Sequence, residues 1–121
     1  MNKCCVIGLG YIGLPTAVVI AKSGLQVLGV DVNDAIVSKI NLSKAHFYEP
    51  QLDQLLKETV SSGYFSASMQ PSFADVFLIA VPTPFKEEKG DIPQPNIDYI
   101  LSAAKQIAPF LKKGNLIILE S

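Results

Sequence analysis

An α/β fold with a doubly wound parallel sheet is predicted from three observations. Short apolar runs alternate with segments of helical periodicity along the whole chain. The first run, Lys3 to Ile7, leads into Gly8-Leu9-Gly10-Tyr11-Ile12-Gly13, a G-x-G-x-x-G turn set directly before a helical pattern. The second run, Gln26 to Val30, ends in an acidic residue, Asp31. Strands alternating with helices imply right-handed crossovers, so the expected sheet has five strands in the order 3-2-1-4-5, covered by helices on both faces.

Each element has its own warrant. Lys3 to Ile7 is short and apolar, as a strand buried on both faces should be, and Ala17, Val18, Ala21 and Leu25 recur at roughly helical spacing after the turn. Gln26 to Val30 forms the second strand. A helix is expected over Asp34 to Ile40, with Asn33 as its cap, followed by an irregular link from Asn41 to Pro50. Leu52, Leu55, Leu56 and Val60 mark a third helix that Gly63 ends, and Tyr64 to Ala67 reads as a short edge strand. Val76 to Val81 is a continuous apolar run that Pro82-Thr83-Pro84 stops. Phe85 to Pro95, with the charge run Lys86-Glu87-Glu88-Lys89, reads as a solvated loop. Asn96 is expected to cap a helix through Ile97, Ile100, Leu101, Ala104, Ile107 and Ala108, closed by Lys112-Lys113-Gly114; Asn115 to Leu119 is the last strand.

The chemistry follows from the turn. In a dinucleotide fingerprint, Gly8 permits the tight turn, Gly10 lets the backbone approach a pyrophosphate, and Gly13 lets helix and strand pack closely. The amides near Tyr11 and Ile12 would face the phosphates, where unpaired donors and the helix dipole favour negative charge. A glycine-rich turn without a ligand is the plainer alternative. The acidic residue weighs against it: Asp31 stands eighteen residues beyond Gly13, where a carboxylate can accept from the adenosine ribose hydroxyls. Asp31 could instead cap the second helix, but Asn33 can do that and leave Asp31 free. A Rossmann-type sheet places its ligand beyond the carboxyl ends of the strands at the switch between strands one and four. The glycine turn, Asp31, Thr83 and Glu120-Ser121 all fall on that edge.

Composition bounds the rest. The chain has 121 residues, 49% of them hydrophobic, and a net charge of −1. That length is one domain with a sizeable core. All ten basic residues are lysine. Without arginine, a nucleic-acid interface is not expected, and NADP is disfavoured relative to NAD because its extra phosphate is commonly met by arginine. Cys4 and Cys5 are adjacent, cannot pair with each other in ordinary geometry and have no metal-ligand spacing; they read as small apolar strand residues suited to a reducing compartment. No signal peptide is recognised before the first strand, and the longest apolar run is far too short to cross a bilayer, so a cytoplasmic protein with no metal and no membrane contact is expected. His46 has no Asp or Ser at useful spacing and reads as a surface or packing residue rather than a base.

Several stretches together resemble the UDP-glucose/GDP-mannose dehydrogenase family: Val6 to Ala17 (VIGLGYIGLPTA), Gly29 to Asn33 (GVDVN), Glu49-Pro50 with Leu52, Ile79 to Lys86 (IAVPTPFK), Ile107-Ala108-Pro109, and Leu111 to Ser121 (LKKGNLIILES). The resemblance covers essentially the whole chain. It implies backbone contacts to NAD from Tyr11 and Ile12, a ribose contact from Asp31 and a cofactor contact from Thr83 beyond the fourth strand. It also implies that residues 1–121 are the NAD-binding domain of a longer dehydrogenase. Such a protein continues with a threonine near the nicotinamide, a central helical region and a second domain carrying a catalytic cysteine and lysine, so no catalytic residue is expected in this chain.

The activity implied is oxidation of a UDP-sugar C6 alcohol to a carboxylate, through a cysteine-bound intermediate and with two NAD⁺ per sugar. UDP-N-acetylmannosamine comes first as substrate, in the service of bacterial surface polysaccharide, with the sugar held mainly by the missing domains and the parent enzyme a homodimer. UDP-glucose and UDP-N-acetylgalactosamine stay open, as do a stand-alone NAD-binding or sensor module and a hydroxyacid or 6-phosphogluconate type of dehydrogenase. Two positions depart from the family pattern. Ser43 stands where relatives often have glycine, which bears on the shape of the link after the second helix, and Ile36 stands where a basic residue is common, which makes the outer edge of the adenine pocket less polar.

Overall fold

A computed structural model of the chain describes residues 3–86 and 94–120. Strands β1 (Lys3–Ile7), β2 (Gln26–Val30), β3 (Phe65–Ser68), β4 (Val76–Ile79) and β5 (Leu116–Leu119) form one sheet in the order 3-2-1-4-5, every neighbouring pair parallel. The chain steps outward from β1 to β2 and β3, then returns across β1 to β4 and β5. The switch therefore lies between β1 and β4, the two most enclosed strands.

Helices α1 (Gly13–Lys22), α2 (Asp34–Asn41), α3 (Leu52–Ser61) and α4 (Asp98–Ile107) supply the layers. Alternation along β1 decides which layer each side chain meets. Cys4 and Val6 join Leu14, Ala17, Val18 and Leu56 in the larger core, under α1 to α3. Cys5 and Ile7 join Phe77, Ile79, Ala103 and Ile107 in the smaller one, under α4. The adjacent cysteines thus face opposite layers, both buried and free.

Local details follow residue chemistry. Asn33 caps α2 by accepting from the amides of Ala35 and Ile36, at 3.0 and 3.3 Å, as expected. Gly63 follows α3 with φ +81°, where its amide and that of Tyr64 return to the Val60 and Thr59 carbonyls. The last helix differs from expectation. Asn96 Oδ1 accepts from Asp98 N, so helical geometry begins one residue later than the periodicity suggests. Pro109 has no amide hydrogen, and the chain tightens into a 3₁₀ turn over Ala108–Phe110. Lys112 and Lys113 consequently lie beyond the helix rather than in its last turn, which holds Lys105.

The expected loop between β4 and α4 is pinched at its ends, where Phe85–Lys86 pairs antiparallel with Gln94–Pro95. The charged residues Glu87, Glu88 and Lys89 lie outside the described residues. At the other edge, Leu116, Ile117, Ile118 and Leu119 of β5 are 39–55% exposed, so both faces of this wholly apolar strand stand open. Among the described residues, no helix is long and apolar enough to cross a membrane.

Candidate functional site

A cleft of about 560 Å³ opens at the carboxyl ends of β1, β2 and β4, over the switch between β1 and β4. Its floor is the turn that joins β1 to α1. Gly8 adopts φ +99°, and a Cβ there would stand 2.7 Å from the Ala80 carbonyl oxygen, so only glycine fits both the conformation and the approach to β4. A Cβ on Gly13 would run into the Gly8 carbonyl and meet Ala80 Cβ at 3.2 Å, which shows how closely α1 begins against the turn and β4. Gly10 is different. A Cβ built there meets nothing within 4 Å, although the residue lines the cleft. Side-chain absence at Gly10 therefore serves the open space rather than internal packing.

The start of α1 presents donors to this space. The first helical bond runs from Leu14 N to Gly10 O at 3.1 Å, which leaves the amides before it without an intrahelical acceptor. No acidic residue of α1 itself stands in its first turn and no side chain caps its first amides, while the carboxylate of Glu120 reaches that turn through Thr16. Tyr11 and Ile12 line the cleft with their side chains largely outside, Tyr11 74% exposed and packed on Phe47 with ring centroids 4.6 Å apart.

Asp31 closes the β2 side. Its carboxylate is half-buried and accepts from Leu9 N on Oδ2 and from Asn33 N on Oδ1, both at 3.0 Å. Those two bonds hold the carboxylate plane and leave acceptor capacity for a diol, since an ionised carboxylate offers about four lone-pair sites. Val32 and Ile36 continue the wall beyond it. Thr83 lies on the β4 side, exposed and lining the cleft.

Of the seven residues singled out from sequence, Gly8, Gly10, Tyr11, Ile12, Asp31 and Thr83 border this one cleft, while Gly13 sits behind it as packing. The wall from α4 and the contact of His46 escaped that reading, and Glu120 was placed on this rim without a partner. Tyr99, Ser102, Ala103 and Gln106 of α4 form the opposite wall, at the i, i+3, i+4, i+7 spacing that would have revealed a face turned to the switch. Glu120 lines the cleft and accepts from Thr16 Oγ1 at 3.1 and 3.2 Å, joining the first turn of α1 to the end of β5. His46 donates from Nε2 to the Leu9 carbonyl at 2.6 Å, so the link reaches the glycine turn. No spacing signal joins residues thirty-seven apart through an irregular segment.

Chemically the cleft is apolar, with two carboxylates and a row of backbone donors. Among the described residues no lysine lines it, and no group of three or more His, Cys, Asp or Glu could hold a metal ion. The buried thiols lie toward the amino end of β1, away from the cleft; burial raises the Cys4 thiol and pushes Cys5 up to about 11, so neither is a ready thiolate at neutral pH. The residues fit a dinucleotide: an opening that a Cβ on Gly10 would fill, unpaired amides for a pyrophosphate, and a carboxylate held just beyond the end of β2.

Among known proteins, the chain is similar to nucleotide-sugar dehydrogenases. The chain is 58% identical over 120 residues to UDP-N-acetyl-D-mannosamine dehydrogenase of Campylobacter jejuni, covering 99% of the chain and 29% of that enzyme. It is 53% identical over 116 residues to an NDP-N-acetyl-D-galactosaminuronic acid dehydrogenase of Ralstonia solanacearum, covering 96% of the chain and 26% of the relative. The solved UDP-N-acetyl-mannosamine dehydrogenase of Staphylococcus aureus superposes with a TM-score of 0.95 at 44% identity, over 99% of this chain and 29% of that one. The chain thus spans less than a third of these relatives. Residues 2–121 match the description "UDP-glucose/GDP-mannose dehydrogenase family, NAD binding domain", and the chain belongs to that family.

Proposed function

We propose that residues 1–121 are the cofactor-binding part of a cytoplasmic, homodimeric nucleotide-sugar 6-dehydrogenase whose substrate is UDP-N-acetyl-D-mannosamine. NAD supplies the hydride-accepting chemistry, and the protein supplies binding, orientation and electrostatics. Gly8, Gly10, Tyr11 and Ile12 shape and present the backbone to the pyrophosphate, Gly13 seats the helix behind them, Asp31 takes the adenosine ribose, and Thr83 borders the cofactor beyond β4. The observation that carries this reading is the opening over Gly10, framed by the uncapped amides at the start of α1 and by Asp31. The 58% identity to the Campylobacter enzyme favours the mannosamine sugar. The Ralstonia relative keeps a galactosamine-type substrate as the second reading.

The sugar itself has no evident holder here. No described lysine lines the cleft to meet a diphosphate, and the thiols are buried elsewhere. Substrate binding and the covalent step belong, on this proposal, to domains beyond these residues.

Calorimetric titration with NAD and NADP tests the cofactor assignment. A 2′-phosphate beside the Asp31 carboxylate adds repulsion of about 1 kcal/mol or more, so NADP should bind at least about fivefold more weakly. Asp31→Asn keeps an acceptor for Leu9 N while removing the charge, and should narrow that gap. Equal affinity of the unaltered chain for the two cofactors overturns the role of Asp31.

A further inference from the structure

We propose that His46 is a positioning residue that holds the glycine turn in its phosphate-receiving conformation; the proposal rests on the NAD reading above. The Leu9–Gly10 peptide is the one at issue. Because a trans peptide is planar, its carbonyl and its amide hydrogen point in opposite directions. His46 Nε2 lies 2.6 Å from the Leu9 oxygen, and a carbonyl can only accept, so Nε2 carries the hydrogen. Leu9 and Gly10 line the cleft and His46 does not, so drawing the carbonyl toward His46 turns the Gly10 amide toward the cleft.

Gly10 itself offers little resistance to a flip of this peptide, since it lacks a Cβ and nothing packs where one would be. The preceding peptide is held from the other side, by Leu9 N donating to Asp31 Oδ2 at 3.0 Å. His46 and Asp31 therefore pin the backbone on both sides of Leu9. The next residue along the link repeats the contact: Phe47 packs its ring on Tyr11 at 4.6 Å and takes the His46 ring edge-on at 4.8 Å.

The link is in turn anchored rather than loose. Ala45 N donates to Asp53 Oδ1 at 3.1 Å, and Lys44 N to the Lys39 carbonyl at 3.0 Å, so α2 and α3 set where His46 stands. A segment between two helices thus supplies the turn with an order that its own glycines cannot. Nε2 bears a hydrogen in the imidazolium and in one neutral tautomer alike, so the contact itself does not require protonation of His46.

Two near-isosteric substitutions test this. His46→Gln can place an amide N–H near the position of Nε2, whereas His46→Asn falls one methylene short. Expected results are that both melt close to the unaltered chain, that His46→Asn binds NAD about tenfold more weakly, and that His46→Gln recovers most of the loss. Backbone ¹⁵N relaxation should show larger motion of Gly10 to Ile12 in His46→Asn without ligand, and little change in His46→Gln. Equal NAD affinity in both variants, or identical relaxation of the turn in both, overturns the proposal. If the unaltered chain takes no NAD, the cofactor reading fails by itself, and the ligand-free relaxation still decides whether His46 orders the turn.

Discussion

The three glycines of the turn look alike in sequence but answer to different neighbours, and that difference can be measured. A Cβ on Gly10 meets open space whereas one on Gly13 collides with the Gly8 backbone. Gly10→Val should fold with a stability change under about 1 kcal/mol and lose NAD binding, while Gly13→Val should cost about 2–3 kcal/mol by forcing helix and turn apart. Equal losses in thermal melts of the two variants would show that the roles are not divided in this way. Motif spacing alone assigned these jobs, because the fingerprint encodes a local geometry that no distant residue can replace. The role of His46 was hidden for the opposite reason, since its partner is a backbone atom whose position depends on the whole sheet. The two cysteines were legible as strand residues, and their burial adds a pH effect. Cys5 is pushed up to about 11 from 9.0, chiefly by burial. Between those values the folded protein holds a proton that the unfolded chain has released, so stability is full below pH 9 and falls as pH rises toward 11, by about 2–3 kcal/mol. Urea titrations at pH 8, 9, 10 and 11 should show this slope, and Cys5→Ala should make it shallower, with the Cys4 thiol, also raised by burial, keeping part of it.

Among the elements, those read from continuous apolar runs or from helical periodicity matched expectation within a residue or two. β1 and β2 are as read, and α2 and α3 extend one residue beyond their last apolar position or less than a turn. Other boundaries moved: β4 ends at Ile79, two residues short of Val81, and β3 shifts by one residue, while the Asp98 amide donates to Asn96 Oδ1, which delays α4, and Pro109 ends it early. The link after α2 carries the most informative departure. Ser43 takes φ +63°, a left-handed conformation that glycine adopts without penalty, and its amide closes on the Ile40 carbonyl at 2.8 Å. Serine thus keeps the backbone path of a glycine at that position, at a cost of about 1–2 kcal/mol for the side chain. Ser43→Gly relieves this cost, less about 0.5–1 kcal/mol for the freer unfolded chain. A net gain of about 0.5–1 kcal/mol and a melting temperature raised by about 3 °C are expected by calorimetry. A lower melting temperature would mean that the serine side chain contributes more than its conformation costs.

For the molecule as a whole, the topology places the glycine turn, Asp31 and Thr83 on one rim and both buried thiols away from it. A nucleophile must reach the substrate carbon, and positioning alone can account for roughly 7–11 kcal/mol of a barrier. The chain mixed with NAD⁺ and UDP-N-acetylmannosamine should therefore produce no NADH absorbance; steady turnover that survives Cys4→Ser and Cys5→Ser would overturn the assignment of chemistry to other domains. The strand order was readable because crossover handedness leaves few alternatives once strands and helices alternate. What periodicity could not convey is the state of the far edge, because an apolar run reads the same whether or not both its faces are covered. There Leu116 to Leu119 combine open apolar faces with an edge that has no strand beyond it among the described residues, the features that make a strand a template for another chain. The flanking charges, Lys112 and Lys113 before it and Glu120 after it, act as gatekeepers against such stacking. Solubility of this domain in isolation is thus a contest between four aliphatic residues and three charges, and salt that screens the charges shifts it toward self-association.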